Sequence, residues 1–405
     1  MTTQVTQSGN HYSLAATGDK PNQMAPTRVN GTRLMNSIHD TCDFGKAHPY
    51  GTHHTETGMA RLVLNDDDKK VREWLAEQVK AVGFSITVDE MGNMFSVRPG
   101  KNKTAPPVMM GSHLDTQPTG GREEVARFPI VTVSSGVWAG TIPLGKAWNC
   151  REVTSKEVRT MKQELERIGF LGQVLASYTA QPIAAHFELH IEQGPILENE
   201  KQKIGVVTGG QAYNLYELVV RGRDSHSATT PYFSRKDALL AAAKMVAVSN
   251  KVAKDAAGLI TTGIFDFAPG SINTMTHTLF DSIAKEESEL GVEVSWTTLT
   301  ENAAVVFHPD CVAAVEQSSE ELTASGDASS KHTKLWGQML SGAGHDSCNT
   351  NKRCPSAMIF TPTRNGMSHT PNEYCSPEDC TLGAEVLMGA ALKYDALRAQ
   401  RGVFD

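Results

Sequence analysis

The sequence predicts an α/β protein. Its main domain combines a mixed sheet with flanking helices, and a smaller α+β domain of β-α-β type is inserted into it. Short apolar runs typical of buried strands alternate with amphipathic helical patterns. The composition changes near Gly209-Gly210. After a polar stretch at 318–330, the sequence again shows the pattern of buried strands and helices seen before residue 209. At 405 residues, the chain is also long for a single domain.

These boundaries divide the chain into four predicted segments. A polar tail at 1–25 is expected to be disordered. Residues 26–210 and 331–405 form the two parts of the main domain, and residues 211–330 form the inserted domain. The chain would therefore leave the main domain once and return to it.

The best-defined element of the main domain is a predicted helix at Asp66–Val82. Its apolar residues recur every 3.6 positions, and three aspartates suit its N-terminus. A second helix is predicted from Pro377 to about Leu397, with Ser376 as its N-cap. The predicted strands of this domain are residues 84–88, 94–97, 107–111 and 358–361.

Three elements define the inserted domain. Leu215–Val220 is predicted to be a strand, Ser234–Val248 an alanine-rich helix, and Leu259–Phe267 a second strand.

Composition excludes several classes of function. A net charge of −7 argues against a nucleic-acid or anionic-membrane surface. No run approaches the ~20 apolar residues that span a bilayer, and the N-terminus lacks the apolar stretch of a secretory signal. None of the seven cysteines falls in a CxxC pair, so neither a disulfide framework nor a cysteine zinc site is indicated. We expect a cytoplasmic protein.

Two clusters with catalytic potential lie between residues 111 and 124. His113 and Asp115 directly follow a predicted strand and point the same way, which suits a metal-binding imidazole oriented by a carboxylate. A capping aspartate beside a surface histidine is the alternative. Glu123 and Glu124 are adjacent acids, and such a pair is usually solvated surface.

Two further clusters supply histidines. His186, Glu188 and His190 share one face of a strand, an arrangement that suits zinc, although a structural pair is also possible. His369 lies in a loop rich in Gly, Ser and Pro after a predicted strand. Imidazole and carboxylate donors without thiolates favour Zn²⁺, with Mn²⁺ or Co²⁺ as substitutes.

Four segments resemble one known family. Gly-Ser-His-Leu-Asp-Thr-Gln-Pro, His-Phe-Glu-Leu-His-Ile-Glu-Gln-Gly, Gly-Ala-Gly-His-Asp-Ser and Gly-Met-Ser-His occur here in the order typical of the dinuclear-zinc amidohydrolases of the M20 metallopeptidase superfamily. The resemblance is strongest to the β-ureidopropionase (β-alanine synthase) and N-carbamoyl-L-amino-acid hydrolase branch, which is similar to allantoate amidohydrolase. It extends from about Val29 to Tyr394, with gaps.

The resemblance implies roles for individual residues. It makes His113, His190 and His369 zinc ligands, Glu123 the general base and Glu124 a carboxylate ligand. Asp115, the carboxylate that orients His113, is predicted to be a catalytic residue as well. The resemblance further implies that Gln193, His226 and Asn273 contact a small ureido acid, with His226 also acting in catalysis. The inserted domain would act as lid and dimerisation domain of a homodimer.

The sequence departs from the family pattern in two places. Relatives carry an Asp-Gly, a helix and a strand before the glutamate pair, whereas only Arg122 separates Gly121 from Glu123 here. A βαβ crossover needs a dozen residues or more, so this stretch contains none. A strand ending in Arg-His is also absent after Met275.

The first gap removes the aspartate that bridges the two metals in relatives. Glu124, eleven positions after His113, could bridge instead, but it would then no longer be the terminal ligand. We expect impaired metal binding and activity. The alternatives are an inactive or truncated paralogue, an allantoate amidohydrolase or an M20 peptidase.

Overall fold

The computed structural model describes residues 29–117, 127–154, 157–263, 265–266, 291–324 and 334–402. The chain forms two compact units. Unit 1 comprises Met1–Thr208, Phe307–Met339 and Gly344–Asp405, and unit 2 comprises Gly209–Val306 and Leu340–Ala343.

In chain order, the described strands are β1 (Lys46–Pro49), β2 (Thr57–Met59), β3 (Ser85–Val88), β4 (Met94–Val97), β5 (Val108–Met110), β6 (Ala185–Ile191), β7 (Ile204–Gly210), β8 (Tyr213–Arg221), β9 (Glu293–Asn302), β10 (Val305–Val306), β11 (Trp336–Ser341) and β12 (Ser356–Thr361). The described α-helices are α1 (Gly31–Cys42), α2 (Asp66–Ala81), α3 (Val133–Trp138), α4 (Leu144–Trp148), α5 (Met161–Ile168), α6 (Ile196–Glu200), α7 (Ala238–Asp255), α8 (Pro309–Thr323), α9 (Asp346–Thr350) and α10 (Pro377–Arg401).

The main sheet of unit 1 is mixed, which confirms the predicted α/β class. Its order is β7-β12-β6-β5, and β11 also pairs with β7. Strands β5 and β12 both run parallel to β6, whereas β7 is antiparallel to β12. All six residues of β12 are buried, as expected for a strand covered on both faces. The carboxyl ends of β5, β6 and β12 therefore lie along one edge of the sheet, where α/β proteins bind ligands.

Helix α10 covers this sheet. It contacts β5, β6 and β12 and packs on α8 and α1. The helix begins where the sequence predicts, because the Ser376 side chain accepts a hydrogen bond from the Asp379 N–H, and it extends to Arg401. The predicted helix at Asp66–Val82 is α2, which ends one residue earlier.

Unit 2 has a two-stranded antiparallel sheet, β8-β9, against which α7 packs. Alanines on α7 allow this approach, since Ala238, Ala241 and Ala242 are fully buried with Val220 of β8. The helix begins at Ala238, four residues later than predicted, because the Asp237 side chain caps it by accepting from the Leu240 N–H.

The prediction of a strand at Leu259–Phe267 is wrong for the described part of that range. Residues 259–263 and 265–266 are not in a strand, and Leu259 is 89% exposed. Strand β8 pairs instead with β9, which follows later in the chain. The predicted inserted domain, residues 211–330, includes helix α8, but in the structure α8 belongs to unit 1.

Some predictions fall outside the described residues. These are the disordered tail at 1–25, the Glu123-Glu124 pair and Asn273. Within the described part of the chain, every helix is too short or too polar to cross a lipid bilayer.

Candidate active site

Histidines collect at the carboxyl edge of the main sheet. His113 follows β5 and His190 lies near the end of β6, the strand that pairs with β5. Their ring centroids are 5.7 Å apart. The parallel pairing of β5 with β6 thus brings together two side chains that are 77 positions apart in the sequence.

Both rings are held in the same way. The Nδ1 atom of His113 lies 2.8 Å from the backbone carbonyl oxygen of Asp115, and Nδ1 of His190 lies 2.8 Å from the carbonyl oxygen of Ile191. Because a carbonyl only accepts, each Nδ1 carries a hydrogen, so each ring has its lone pair on Nε2 when it is in the neutral form. This tautomer is the one that binds a metal through Nε2.

Asp115 lies beside His113, as its spacing predicts. Its carboxylate oxygen is 3.5 Å from His113 Nδ1, farther away than its own backbone carbonyl. The hydrogen bond with this carboxylate holds the pKa of His113 above its usual value. Asp115 therefore orients the imidazole through its backbone oxygen and adds negative charge through its side chain.

A third imidazole, His345, stands next to His190. The two ring centroids are 4.6 Å apart, and His345 also packs against Phe360 of β12. His345 is only 5% exposed, and its buried Nε2 has no hydrogen-bond partner among the residues that the structure describes. Burial and the neighbouring His190 and His113 lower the pKa of His345 to about 3, so the ring is neutral.

His345 is a site residue that the sequence analysis does not assign, although it lies in Gly-Ala-Gly-His-Asp-Ser, one of the four family motifs. The signal was therefore present. The motif alone does not show that His345 lies beside His190. That contact depends on the path of the chain after β11, which is a long-range feature of the fold.

The sequence left two interpretations of His186 and Glu188, a metal site and a structural pair, and their hydrogen bonds favour the structural pair. His186 is buried between Thr350 and the Gly111 carbonyl, which contact its two ring nitrogens at 2.9 and 3.2 Å. Glu188 accepts hydrogen bonds from Ser112 and from the N–H and hydroxyl of Ser347. The pair is structural, because both side chains already have their hydrogen-bond partners within the fold.

Burial and the nearby Asp346 raise the pKa of Glu188 to about 7. Hydrogen bonds from Ser347 act in the opposite direction.

His369 and Gln193 also meet at this edge. The Gln193 side-chain amide donates to Nε2 of His369 at 3.1 Å and to the Ser368 hydroxyl at 2.9 Å. Both residues have positive φ, 61° for Gln193 and 55° for His369. Such backbone strain in non-glycine residues is concentrated at functional sites.

Glu373 links this loop to the other histidines. Its carboxylate accepts from the backbone N–H of His369 and from the Ser368 hydroxyl. Burial lowers the pKa of His190 below the usual histidine value, and the negative charge of Glu373 acts on this pKa in the opposite direction. The loop of His369 therefore belongs to the same electrostatic environment as His190.

The remaining predicted site residues are placed differently. His226 belongs to unit 2, is exposed, and accepts hydrogen bonds at Nδ1 from the N–H groups of Ala228 and Thr229. Glu123, Glu124 and Asn273 lie outside the described residues.

The donor chemistry at the sheet edge fits part of a metal site. Two imidazoles on one tetrahedral zinc, each at about 2.1 Å, have ring centroids about 5 Å apart. The 5.7 Å between His113 and His190 is close to that separation. Among the residues that the structure describes, no group of three or more His, Cys, Asp and Glu side chains is arranged to hold a metal ion. His113 and His190 are thus the two predicted ligands that the described structure brings together.

A mixed α/β sheet with imidazole donors at its carboxyl edge is the arrangement of a metal-dependent hydrolase. Residues 155–393 match the model of peptidase family M20/M25/M40. The chain belongs to this family. Within it, the chain falls among the amidohydrolases of the carbamoylase branch, which act on carbon–nitrogen bonds other than peptide bonds.

Individual relatives support this placement. The chain is 32% identical to an N-carbamoyl-L-amino-acid amidohydrolase of Rhizobium meliloti, covering 90% of this chain and 97% of the relative. It is 26% identical to a ureidoglycolate hydrolase of Arabidopsis thaliana, over 89% of this chain and 85% of the relative. A crystal structure of a hydantoinase/carbamoylase family amidase from Burkholderia vietnamiensis superposes with a TM-score of 0.77 at 32% identity, over 92% and 99% of the chains.

The alignment with the Rhizobium relative shows whether that relative contains residues that this chain lacks. It extends over 424 positions, more than this chain has residues, yet it uses only 90% of the chain. The relative therefore contains segments that this chain lacks.

Proposed function

We propose that this chain hydrolyses the carbamoyl C–N bond of an N-carbamoyl amino acid or β-amino acid, with zinc as its metal. The products are the amino acid, ammonia and carbon dioxide. The observation that carries the proposal is the pair of imidazoles, His113 and His190, with Nε2 available on both at the carboxyl edge of the sheet. The N-carbamoyl-L-amino-acid amidohydrolases among the relatives indicate the class of substrate.

M20 amidohydrolases are generally metal-dependent. In this chain His113 and His190 would hold the ion, with His369 and Glu124 as the other proposed ligands. A bound zinc ion supplies a Lewis acid that polarises the carbamoyl carbonyl and makes water nucleophilic near neutral pH; Mn²⁺ or Co²⁺ could replace it.

The chain's own residues move the protons. Glu123 takes a proton from the attacking water and delivers it to the leaving nitrogen. His226 is suited to stabilising the developing oxyanion: its Nδ1 accepts two backbone hydrogen bonds, so its hydrogen is on Nε2 and is free to be donated. Asn273 is the second proposed donor to this oxyanion.

Gln193 and His345 would shape the binding site. The Gln193 amide already donates to Ser368 and His369, and it is placed to exchange one of these partners for a polar group of the substrate. His345 offers a buried nitrogen without a partner beside His190. We assign this nitrogen to a polar contact with the substrate or with the water that attacks it.

A second candidate is an inactive or truncated paralogue that at most binds metal or dimerises. The alignment gap favours it, because the relative contains segments that this chain lacks. The ureidoglycolate hydrolases among the relatives make a related ureido acid, such as allantoate, the alternative substrate.

The proposed partners are a small ureido acid and a second copy of the chain. The net charge of −7 continues to argue against a nucleic-acid or membrane partner, and a cytoplasmic location remains a prediction.

Ammonia release tests the proposal. The purified chain, loaded with zinc, is incubated separately with N-carbamoyl-β-alanine, an N-carbamoyl-L-amino acid and allantoate. We expect slow release from a carbamoyl substrate, loss of release in Glu123→Gln, and full retention of zinc in that variant. Release that is equal in Glu123→Gln and the parent chain would contradict the proposed mechanism, and no release from any substrate would favour the inactive paralogue.

A further inference from the structure

Two cysteines flank the first turn of α10. Ser376 is the N-cap of this helix, so Cys375 occupies the position before the cap and Cys380 the fourth position within the helix. Side chains at these two positions contact each other in the hydrophobic staple of helix N-termini. Here the Cys380 sulfur lies 4.0 Å from the Cys375 carbonyl oxygen, so its side chain turns back toward Cys375 as in the staple.

Cys375 also ends the loop that carries His369. The loop closes on itself at its base, where the Arg364 N–H donates to the Tyr374 carbonyl at 2.9 Å and the Arg364 guanidinium stacks 4.6 Å above the Tyr374 ring. The Cys375 thiol, next in sequence, donates to the Thr361 hydroxyl at the end of β12 at 3.4 Å. A covalent modification of Cys375 would therefore alter the contacts at the base of the loop that carries His369.

The other described cysteines are less suited to oxidation. Cys311 and Cys354 are buried, and burial raises the pKa of both thiols. Burial also raises the pKa of Cys42, Cys150 and Cys348. In Cys375 the hydrogen bond from Cys380 outweighs partial burial and lowers the pKa, which favours the nucleophilic thiolate.

We propose that Cys375 and Cys380 form a reversible disulfide that clamps the base of the His369 loop to the first turn of α10. The oxidant is a low-molecular-weight disulfide such as oxidised glutathione. The Cys375 thiolate attacks one sulfur of that disulfide and expels a glutathione thiolate; Cys380, after losing its proton to solvent, displaces the second glutathione from Cys375. The protein gives up two electrons and two protons, and two molecules of reduced glutathione form.

Peptide mapping of the full chain after equilibration in glutathione redox buffers tests the disulfide. We expect an intrachain cross-link between Cys375 and Cys380 that dithiothreitol reverses. Cys348→Ser should still form the cross-link, whereas Cys375→Ser should not. Oxidation that reaches other cysteines first, or stable glutathione adducts on both Cys375 and Cys380 without a cross-link, would overturn the proposal.

Amide hydrogen exchange tests the clamp itself and does not depend on enzymatic activity. Exchange in residues 364–374 should slow several-fold in the oxidised chain and recover on reduction. Exchange that is unchanged in this loop, with the cross-link present, would overturn the proposed clamp.

Discussion

His186 and His345 are both buried imidazoles, but only one of them is satisfied by the fold. Thr350 and the Gly111 carbonyl contact the ring nitrogens of His186, whereas Nε2 of His345 has no partner within the described ranges of the chain. A buried polar atom without a hydrogen bond costs about 1–3 kcal/mol. A nitrogen kept at that cost beside His190 indicates a functional contact.

This difference in hydrogen bonding predicts that replacement by leucine has opposite effects on stability at His345 and at His186. His345→Leu should leave the free energy of unfolding unchanged or raise it by up to about 1 kcal/mol, while turnover falls at least tenfold. His186→Leu, the matched control, should lose about 1–3 kcal/mol because its buried partners are left unpaired. Urea unfolding and ammonia release measure both. A destabilised His345→Leu chain with unchanged turnover would show that His345 is structural.

Glu164 is the most heavily paired carboxylate of unit 1. Its side chain is fully buried and receives hydrogen bonds from Arg127, Arg159 and Arg167. Burial alone would raise its pKa, but the three guanidinium groups outweigh burial and lower the pKa to about 2. Arg127 lies four positions after Glu123 in the sequence.

We predict that Glu164→Gln lowers the free energy of unfolding by about 2–3 kcal/mol at pH 7, because Arg127, Arg159 and Arg167 lose the buried carboxylate that they share. The loss is limited because each arginine keeps a second acidic partner. Since the folded-state pKa is depressed, the stabilisation is fully present above the unfolded value of 4.5 and is lost as the pH falls through about 2. The difference between parent and variant should therefore shrink over that range. Glu166→Gln, an exposed change on the same helix, should have little effect at any pH. A parent–variant difference independent of pH would contradict this account.

At the scale of elements, local patterns predicted the helices and strands whose signals lie within the sequence segment itself. Helix α2 and the start of α10 follow from capping residues and periodicity, and β4 occupies the predicted residues. The strand expected at 259–267 failed because a strand depends on a partner, and β9 pairs with β8 instead. Residue spacing likewise predicted that His113 and His190 lie at the carboxyl edge of the sheet. It could not show that His186, on the same strand as His190, has a structural role.

Strand β5 ends the main sheet among the described strands. It has only three residues, it pairs with β6, and its Met110 is 51% exposed. An apolar side chain at a sheet edge is normally covered. The short edge strand agrees with the prediction that a segment is missing after Gly121, where the family resemblance implies an Asp-Gly, a helix and a strand.

Restoring that segment should raise both stability and activity. We predict that inserting the corresponding residues of the Rhizobium relative after Gly121 increases the urea midpoint of unfolding and the rate of ammonia release, because apolar surface is covered and the bridging aspartate returns. A Gly/Ser insertion of equal length is the control. A restored chain no more stable and no more active than this control would show that the gap is not a defect.

At the scale of the whole molecule, unit 2 presents apolar surface. Leu240, Val248 and Val252 lie eight and four residues apart on one side of α7 and are 46%, 41% and 59% exposed. Exposed apolar stripes of this kind mark association surfaces.

We predict a homodimer formed through unit 2. Val248→Asp should shift the molar mass at micromolar concentration toward the monomer, because it places a charge in the apolar stripe. Asn250→Asp, on an exposed position of the same helix, should leave the mass unchanged. Sedimentation equilibrium measures both. A strictly monomeric parent chain would rule out the dimer.

The zinc content of the dialysed protein is the most direct test of the metal site at the sheet edge. His113 and His190 are neighbours at the sheet edge, and the family resemblance implies that the bridging aspartate is missing, so we predict one weakly held zinc per chain. That zinc should be lost in His113→Ala and in His190→Ala, and retained in His39→Ala, a histidine on α1. Two tightly bound ions per chain, or zinc content unaffected by His113→Ala and His190→Ala, would contradict the account.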